Sequence, residues 1–425
     1  MVNLANIKIW DNIVGYLLWR EETETATFEY APEFKRLGLD LSPIEMPISQ
    51  QRVFAFSNIS KETFLGLPGL FADSLPDAYG KALLDRWLAS NGRHFANPVE
   101  RLCYQGKRSM GALEFEPAQN DYLETSSNIE IDSLVATARE VLNQKEAFST
   151  NMSDTKEALI NIIKVGTSAG GQRAKAIIAY NDETKEVRSG QIEAPEGFEH
   201  WLLKLDGVTN SELGDPQHYG KIEYVYYLMA KEAGIEMSEC RLLEENGRAH
   251  FMTKRFDRQK NHKIHMQTLC GIAHYDYKML RAYSYEQAFQ VMRRLRLPYN
   301  QAEEMYRRMV FNVIARNQDD HTKNISFLMN RSGKWSLSPA YDVSWAYNPQ
   351  GNWTSKHQMS INNKWDEITR ADLIATAKNM NIKRPELIIE QVIDSVNLWY
   401  KFAKEYDIPN DTIKQIGNTL QLSNF

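Results

Sequence analysis

The segment from Phe311 to Leu328, FNVIARNQDDHTKNISFL, constrains this chain more than any other stretch. Apolar residues at helical spacing, Met305, Met309, Val310, Val313 and Ile314, lead into a dense polar run, and a β-prone stretch follows at once. So much polar chemistry wedged between two apolar elements is poorly explained as a solvated surface loop. Within it Asp319 and Asn324 are five apart, the D-x-x-x-x-N spacing of a protein-kinase catalytic loop. That chemistry needs one carboxylate to accept a hydroxyl proton and a neutral amide oxygen to help hold a metal that bridges phosphates. Ser338-Pro339-Ala340-Tyr341-Asp342-Val343 follows a Gly-containing turn, with Asp342 just past a short strand, where a kinase places its D-F-G aspartate. Two strands joined by a tight turn would return Asp342 to the side of Asn324. Taken singly, Asp319 and Asp320 would read as turn caps and Asp342 as a loop carboxylate. Their order and separation favour the kinase-like reading.

Composition narrows the setting. At about 150 residues per domain, 425 residues allow two to three domains. Hydrophobic residues at 43% and charged residues at 25% exclude a largely disordered, collagen-like or coiled-coil chain. Lys and Arg total 50 against 55 Asp and Glu, which argues against a protein whose main task is to coat nucleic acid. No apolar run approaches the ~18 residues of a membrane span, and the N-terminus lacks a secretory pattern. Cys103, Cys240 and Cys270 are few, scattered and odd in number, so they read as buried small side chains in a reducing compartment. The expectation is a soluble, cytoplasmic, multidomain protein.

Along the chain, Ile7 and Ile9, a turn at Asp11-Asn12, and Val14, Tyr16 and Leu18 spell a β-hairpin, with another short strand at Phe28 and Tyr30. A loop-like stretch from Gly66 to Pro76 precedes an amphipathic helix bearing Ala82, Leu83, Leu84, Trp87 and Leu88. A strand over 111–117 ends at Pro117. Residues 118–153 are polar and acidic around one helix, Asp132 to Leu142, with Asp132 placed to cap it. The expected organisation is an accessory domain over 1–118, a connecting segment over 119–153, a nucleotide-binding part over 154–260 and a mainly helical catalytic lobe over 261–425. A second helical stripe, Ile389, Val392, Ile393, Val396 and Trp399, belongs to that last part.

Three further features bear on phosphate chemistry. Gly166-Thr167-Ser168-Ala169-Gly170-Gly171 is a run of small residues able to bring backbone N–H groups close to anionic oxygens. It is not a Walker A loop, because Gln172 stands where that motif has Lys and Ala176 to Tyr180 reads as strand. Trp201-Leu202-Leu203-Lys204-Leu205 places a lysine in an apolar strand, where a carboxylate or phosphate should accompany it. Glu223, on a helix from Lys221 to Ala233 with the stripe Ile222, Val225, Tyr226 and Met229, is the natural partner, as in the kinase Lys–Glu pair. His321 could join Asp319 and Asp320 in a carboxylate–imidazole metal site, but no second histidine cluster accompanies it, and bracing of the loop by hydrogen bonding is favoured. Arg293, Arg294, Arg296, Arg307 and Arg308 read as wet helix faces rather than a nucleic-acid surface.

These residues together resemble the HipA-type toxin kinases, bacterial Ser/Thr kinases of toxin–antitoxin modules, in family order along nearly the whole chain. The segment Leu67 to Leu75 with its following helix resembles the N-terminal signature, and the Gly166-to-Gly171 run resembles the family's Gly-rich loop. The resemblance implies an α+β, two-lobed protein-kinase-like fold with a small N-terminal α/β accessory domain and a mainly helical C-terminal lobe. It implies ATP and Mg2+ as cofactors. Asp319 would be the catalytic base, Lys204 a phosphate contact oriented by Glu223, and Asn324 and Asp342 the magnesium ligands, with His321 in the catalytic loop. ATP would also meet Gly166, Thr167, Ser168, Ala169, Gly170, Gly171, Lys323 and the hinge-like Thr253, Lys254, Arg255 and Phe256. Thr167 or Ser168 would be autophosphorylated, which switches off the enzyme by adding charge where ATP phosphates sit. Asp320 departs from the glycine common at its position, and Arg173 differs from the commoner forms of the Gly-rich loop. The implied partners are a HipB-like helix-turn-helix antitoxin, through which alone DNA is met, and a protein substrate such as an aminoacyl-tRNA synthetase. No membrane is involved.

Two rivals from other classes stay open at this point. One is a catalytically idle kinase fold acting as corepressor with a DNA-binding antitoxin. The other is a metal-dependent phosphohydrolase built on Asp319, Asp320 and His321.

Overall fold

The computed structural model describes residues 2–50, 52–119, 129–143, 174–208 and 218–425. The chain divides into two compact units, one of Met1–Ser42, Met46–Gly220 and Cys240–Met266, the other of Pro43–Glu45, Lys221–Glu239 and Gln267–Phe425. Among the described residues no helix is long and apolar enough to cross a membrane, and all three cysteines are buried.

The first unit opens with the expected hairpin, β1 (Leu4–Ile9) and β2 (Asn12–Arg20). Its turn sits one residue earlier than the sequence suggests. Trp10 and Asp11 both take positive φ, at 48° and 67°, and Asn12 already pairs with Ile9. The simple alternation of Val14, Tyr16 and Leu18 also fails. A bulge between Ile7 and Lys8 shifts the register, so Leu17 and Trp19 point inward while Tyr16 is 43% exposed. β3 (Thr25–Tyr30), β4 (Phe54–Ala55) and β5 (Leu113–Glu116) complete an antiparallel sheet ordered β4-β3-β2-β1-β5. Gly15 is required where β2 passes β3, because a Cβ there would lie 2.1 Å from the Glu29 carbonyl oxygen. The loop-like stretch after Gly66 contains one buried helical turn, Gly69–Ala72, which Pro68 leads into with its preset φ.

A second antiparallel sheet in this unit has the order β7-β6-β8-β10-β9, from β6 (Lys175–Asn181), β7 (Val187–Ser189), β8 (Phe198–Lys204), β9 (Cys240–Glu245) and β10 (Arg248–Lys254). The helices Ala78–Ser90 and Ile131–Asn143 pack on it through Leu83, Trp87, Leu134 and Ala138, against Ile178, Trp201 and Met252. Side chains from both sides of the polar stretch after residue 118 thus share one hydrophobic cluster. Asp132 does not cap its helix. It lies inside the first turn, and its carboxylate accepts from Arg248 and, at 3.0 Å, from Asn246.

In the second unit the helix Tyr219–Glu232 buries Ile222, Val225, Tyr226 and Met229 as its stripe requires. The helix Tyr299–Ile314 likewise buries Met305, Met309, Val310, Val313 and Ile314. The Tyr226 hydroxyl donates to the Ala315 carbonyl at 2.7 Å and so fastens the end of that helix. The downstream stripe is split between two helices, Pro385–Val396 and Trp399–Glu405. Trp399 nevertheless stays fully buried, donating to the Ile413 carbonyl at 3.0 Å.

Candidate active site

The polar run after Ile314 leaves its helix through Arg316 at φ 56°, a left-handed exit. It is then clamped on both sides. Gln318 N donates to the Ala346 carbonyl at 3.0 Å, and Ala346 N returns a bond to Arg316 at 3.1 Å. Behind the run lies a buried polar chain. Asn317 Nδ2 donates to Asn312 Oδ1, Asn312 Nδ2 to the Tyr285 hydroxyl, and that hydroxyl to Asp320 Oδ2, each at 2.9 Å. Asp320 also accepts from Gln358 N at 2.7 Å and meets His357 Nδ1 at 2.8 Å, with its side chain 1% exposed. A buried carboxylate persists only when its lone pairs are met in this way. Burial, with Asp320 adding, pushes the Tyr285 hydroxyl well above the ordinary tyrosine range.

Asp319 turns the other way. Its Oδ1 accepts from the Trp353 indole nitrogen at 2.5 Å, and its backbone oxygen accepts from Asn324 Nδ2 at 2.8 Å. Its side chain keeps 43% of its surface accessible. Desolvation by the surrounding walls raises its pKa, and the Asp342 and Asp320 charges add to the rise, while His321 and the Trp353 N–H oppose it. His321 makes no side-chain hydrogen bond among the described residues, contrary to the bracing role expected for it. It packs between the rings of Tyr277 and Trp353, at 5.2 and 6.1 Å, with Nε2 3.8 Å from Asp319 Oδ1.

The hairpin Ser326–Met329 and Trp335–Leu337 brings Asp342 back to the cleft that Asp320, His321 and Asn324 line. Tyr341 secures the return, donating to the Lys323 carbonyl at 2.5 Å, and Asp342 itself sits at φ 53°. With the Asn324 amide nitrogen donating to the Asp319 carbonyl, its Oδ1 is the atom of that amide suited to a metal. An amide oxygen beside a carboxylate is a hard-oxygen donor set that fits magnesium, which takes its other ligands from phosphates and water. Among the described residues no group of three or more His, Cys, Asp and Glu could hold a metal ion. With Asp320 already engaged by three donors, the phosphohydrolase arrangement loses one of its three members.

Two family models account for most of the chain: the HipA N-terminal domain over residues 5–116 and the HipA-like C-terminal domain over 167–399. The chain belongs to the HipA family. Its fold matches HipA of Shewanella oneidensis MR-1, solved with HipB and operator DNA, at a TM-score of 0.70 and 18% identity, covering 99% of this chain and 96% of that one. The Helicobacter pylori proinflammatory kinase CtkA aligns over 53% of this chain and 90% of its own at a TM-score of 0.33 and 13% identity, a likeness on which nothing here rests. No curated protein matches in sequence. The architecture is therefore the two-lobed, HipA-like α+β fold with its N-terminal accessory domain and helical C-terminal part.

In this HipA chain the remaining candidates fall as follows. Lys204 closes β8 in the first unit with its Nζ 5.7 Å from the Phe251 ring centroid, and Glu223 is buried on the helix Tyr219–Glu232 of the second. The Lys323 ammonium lies 4.9 Å from the Tyr277 ring centroid. In the hinge-like segment, Thr253 and Phe256 are half-buried, Lys254 pairs with Glu199, and Arg255 is held by Asp257 at 2.6 Å. Burial alone would raise the Asp257 pKa, but Arg255 and Arg258 outweigh it and hold the carboxyl well below the ordinary range. Gly166, Thr167, Ser168, Ala169, Gly170 and Gly171 lie outside the described residues. Just after them, Lys175 pairs with Asp77 at 3.1 Å, the two side chains 4% and 6% exposed.

Sequence reading missed Trp353, Tyr285 and His357. The one local signal was a tryptophan directly after the turn-rich stretch Asn348 to Asn352, a composition in which a large aromatic has no core to fill.

Proposed function

We propose that this protein is a HipA-like toxin kinase that transfers the γ-phosphoryl group of ATP to a Ser/Thr hydroxyl of a protein. The observation that carries this reading is the gathering of Asn324 and Asp342 in one cleft beside the Asp319 carboxylate. The Asp319 carboxylate accepts the proton of the acceptor hydroxyl as its oxygen bonds to the γ-phosphorus. The bond to the bridging β–γ oxygen breaks and ADP leaves. Asn324 Oδ1 and Asp342 would hold magnesium, which supplies charge neutralisation at the phosphates when bound. Family resemblance assigns the phosphates to Lys204, with Glu223 to orient it, and to the Gly166-to-Gly171 run. By the same resemblance Thr253 to Phe256 take the adenine, although the Lys254 and Arg255 side chains are engaged by carboxylates. Most of the rate then comes from positioning and charge rather than covalent chemistry.

Family resemblance supplies the setting: an aminoacyl-tRNA synthetase as target, growth arrest in the cytoplasm as outcome, and silencing by autophosphorylation at Thr167 or Ser168. The Shewanella HipA match, solved with HipB and operator DNA, supports a HipB-like antitoxin as partner, with DNA met only through it. The functional partition that follows is an accessory domain over 1–118, a connection over 119–153, a nucleotide-binding part over 154–260 and a catalytic lobe over 261–425.

The test is incubation with Mg and γ-labelled ATP. Label on Thr167 or Ser168 that is lost in Asp319→Ala supports the kinase. Tight ATP binding without any transfer, or phosphate release from small phosphoesters in the absence of ATP, overturns it.

A further inference from the structure

We propose that Trp353 is a positioning residue for phosphoryl transfer: its indole N–H fixes the Asp319 carboxylate through Oδ1 and leaves Oδ2 to take the acceptor's proton. The inference rests on the reading of Asp319 as the base and adds a residue to it.

The contact is 2.5 Å long and joins residues 34 apart in sequence. A tryptophan N–H can only donate, so it orients a carboxylate without bringing a competing positive charge to the base. Among the described residues no donor reaches Asp319 Oδ2, which makes the two carboxylate oxygens inequivalent. A base whose proton-accepting oxygen is fixed keeps the near-attack geometry that transfer needs.

The indole is held there by its own loop. Arg281 Nη2 donates to the Asn352 carbonyl at 3.0 Å and to Ser355 Oγ at 3.3 Å, on either side of Trp353. Asn348 N donates to the Thr354 carbonyl at 3.1 Å and closes the turn. The Gln358 side-chain amide donates to the Trp353 carbonyl, while Gln358 N is bonded to Asp320 at 2.7 Å. One loop therefore grips both neighbouring aspartates, Asp320 through its backbone and Asp319 through the indole. The Trp353 ring also meets the His321 ring, with 6.1 Å between centroids, and His321 in turn meets the Tyr277 ring at 5.2 Å.

The experiment uses the full chain. In the 1H–15N spectrum the Trp353 indole resonance, assigned by its loss in Trp353→Phe, should lie downfield and move upfield in Asp319→Ala while the other indole resonances stay. In Trp353→Phe the single-turnover rate of autophosphorylation at saturating Mg-ATP should fall roughly 10- to 100-fold with the ATP Kd unchanged. Trp353→His, which keeps a ring N–H, should recover part of that loss. An unchanged or faster rate in Trp353→Phe, or an indole resonance indifferent to Asp319→Ala, overturns the proposal. If the wild-type chain transfers no phosphate at all, the kinase reading fails by itself, and the indole resonance alone decides whether Trp353 holds Asp319.

Discussion

His357 Nδ1 lies 2.8 Å from Asp320 Oδ2, and both side chains are almost wholly buried, at 2% and 1% exposure. The pair sits directly behind the residue that we read as the base, so the polar run is anchored from its buried side and works from its open one. Asp320 is thereby part of the architecture. Its carboxylate ties Tyr285, His357 and the backbone of Gln358 to the loop.

Removing that anchor should be costly. Asp320→Ala leaves three donors without an acceptor, and loss of a buried charged partner typically costs about 3–5 kcal/mol. Urea unfolding should show a drop of that size. Asp320→Asn, which keeps an acceptor oxygen, should lose less. Equal stability of the alanine variant and the wild type would refute the anchoring role.

The metal reading makes a separate prediction. Asp342→Ala should weaken ATP binding in the presence of Mg by at least about tenfold, or about 1.4 kcal/mol, while binding in EDTA stays as it was. Thermal unfolding of this variant should match the wild type. Titration calorimetry that finds full Mg-ATP affinity would show that Asp342 is not a magnesium ligand.

Lys175 and Asp77 offer a test in the strand that begins four residues after Gly171. Lys175 stands opposite Lys204 in the β6–β8 register, an unfavourable cross-strand pairing of like charges that the Asp77 carboxylate relieves. Lys175→Met alone should destabilise by about 3–5 kcal/mol, because it removes the cation paired with a buried carboxylate. Combined with Asp77→Asn, which keeps the helix cap to Gly80 N, most of that loss should return. Additive losses in the double variant would mean that the two do not act as a pair.

His265 contributes to the pH dependence of stability, alongside His274, whose pKa burial also lowers to about 4. Burial lowers the His265 pKa from the usual 6.5 to about 4, so the folded chain carries His265 neutral. The unfolded chain binds the proton first as pH falls. Stability is therefore full above about pH 6.5 and declines towards pH 4, by up to about 3 kcal/mol from this residue. His265→Gln should flatten that part of the profile in urea titrations at stepped pH. A profile of unchanged slope would contradict it.

Much of the fold could be read locally. The stripes on Tyr219–Glu232 and Tyr299–Ile314 and the runs that became β6 and β8 follow a period set by their own backbone, so a window of a dozen residues contains the information. Errors arose where a single residue changed the phase. The bulge in β1 and β2 turned Tyr16 outward, and a helix that begins at Ile131 put Asp132 inside the first turn, where it pairs with Arg248.

For the site, the sequence by itself determined which groups are available: a carboxylate and an amide at catalytic-loop spacing, and a second carboxylate beyond a hairpin. Those depend on neighbours a few residues apart. What holds them was decided only by the tertiary structure. Trp353 reaches Asp319 across 34 residues, His357 reaches Asp320 across 37, and Tyr285 reaches the same carboxylate across 35. A hydrogen bond between side chains so far apart imposes no periodicity on the residues between them. Its partners become legible only once the helix and the hairpin have packed and brought them within 3 Å of one another.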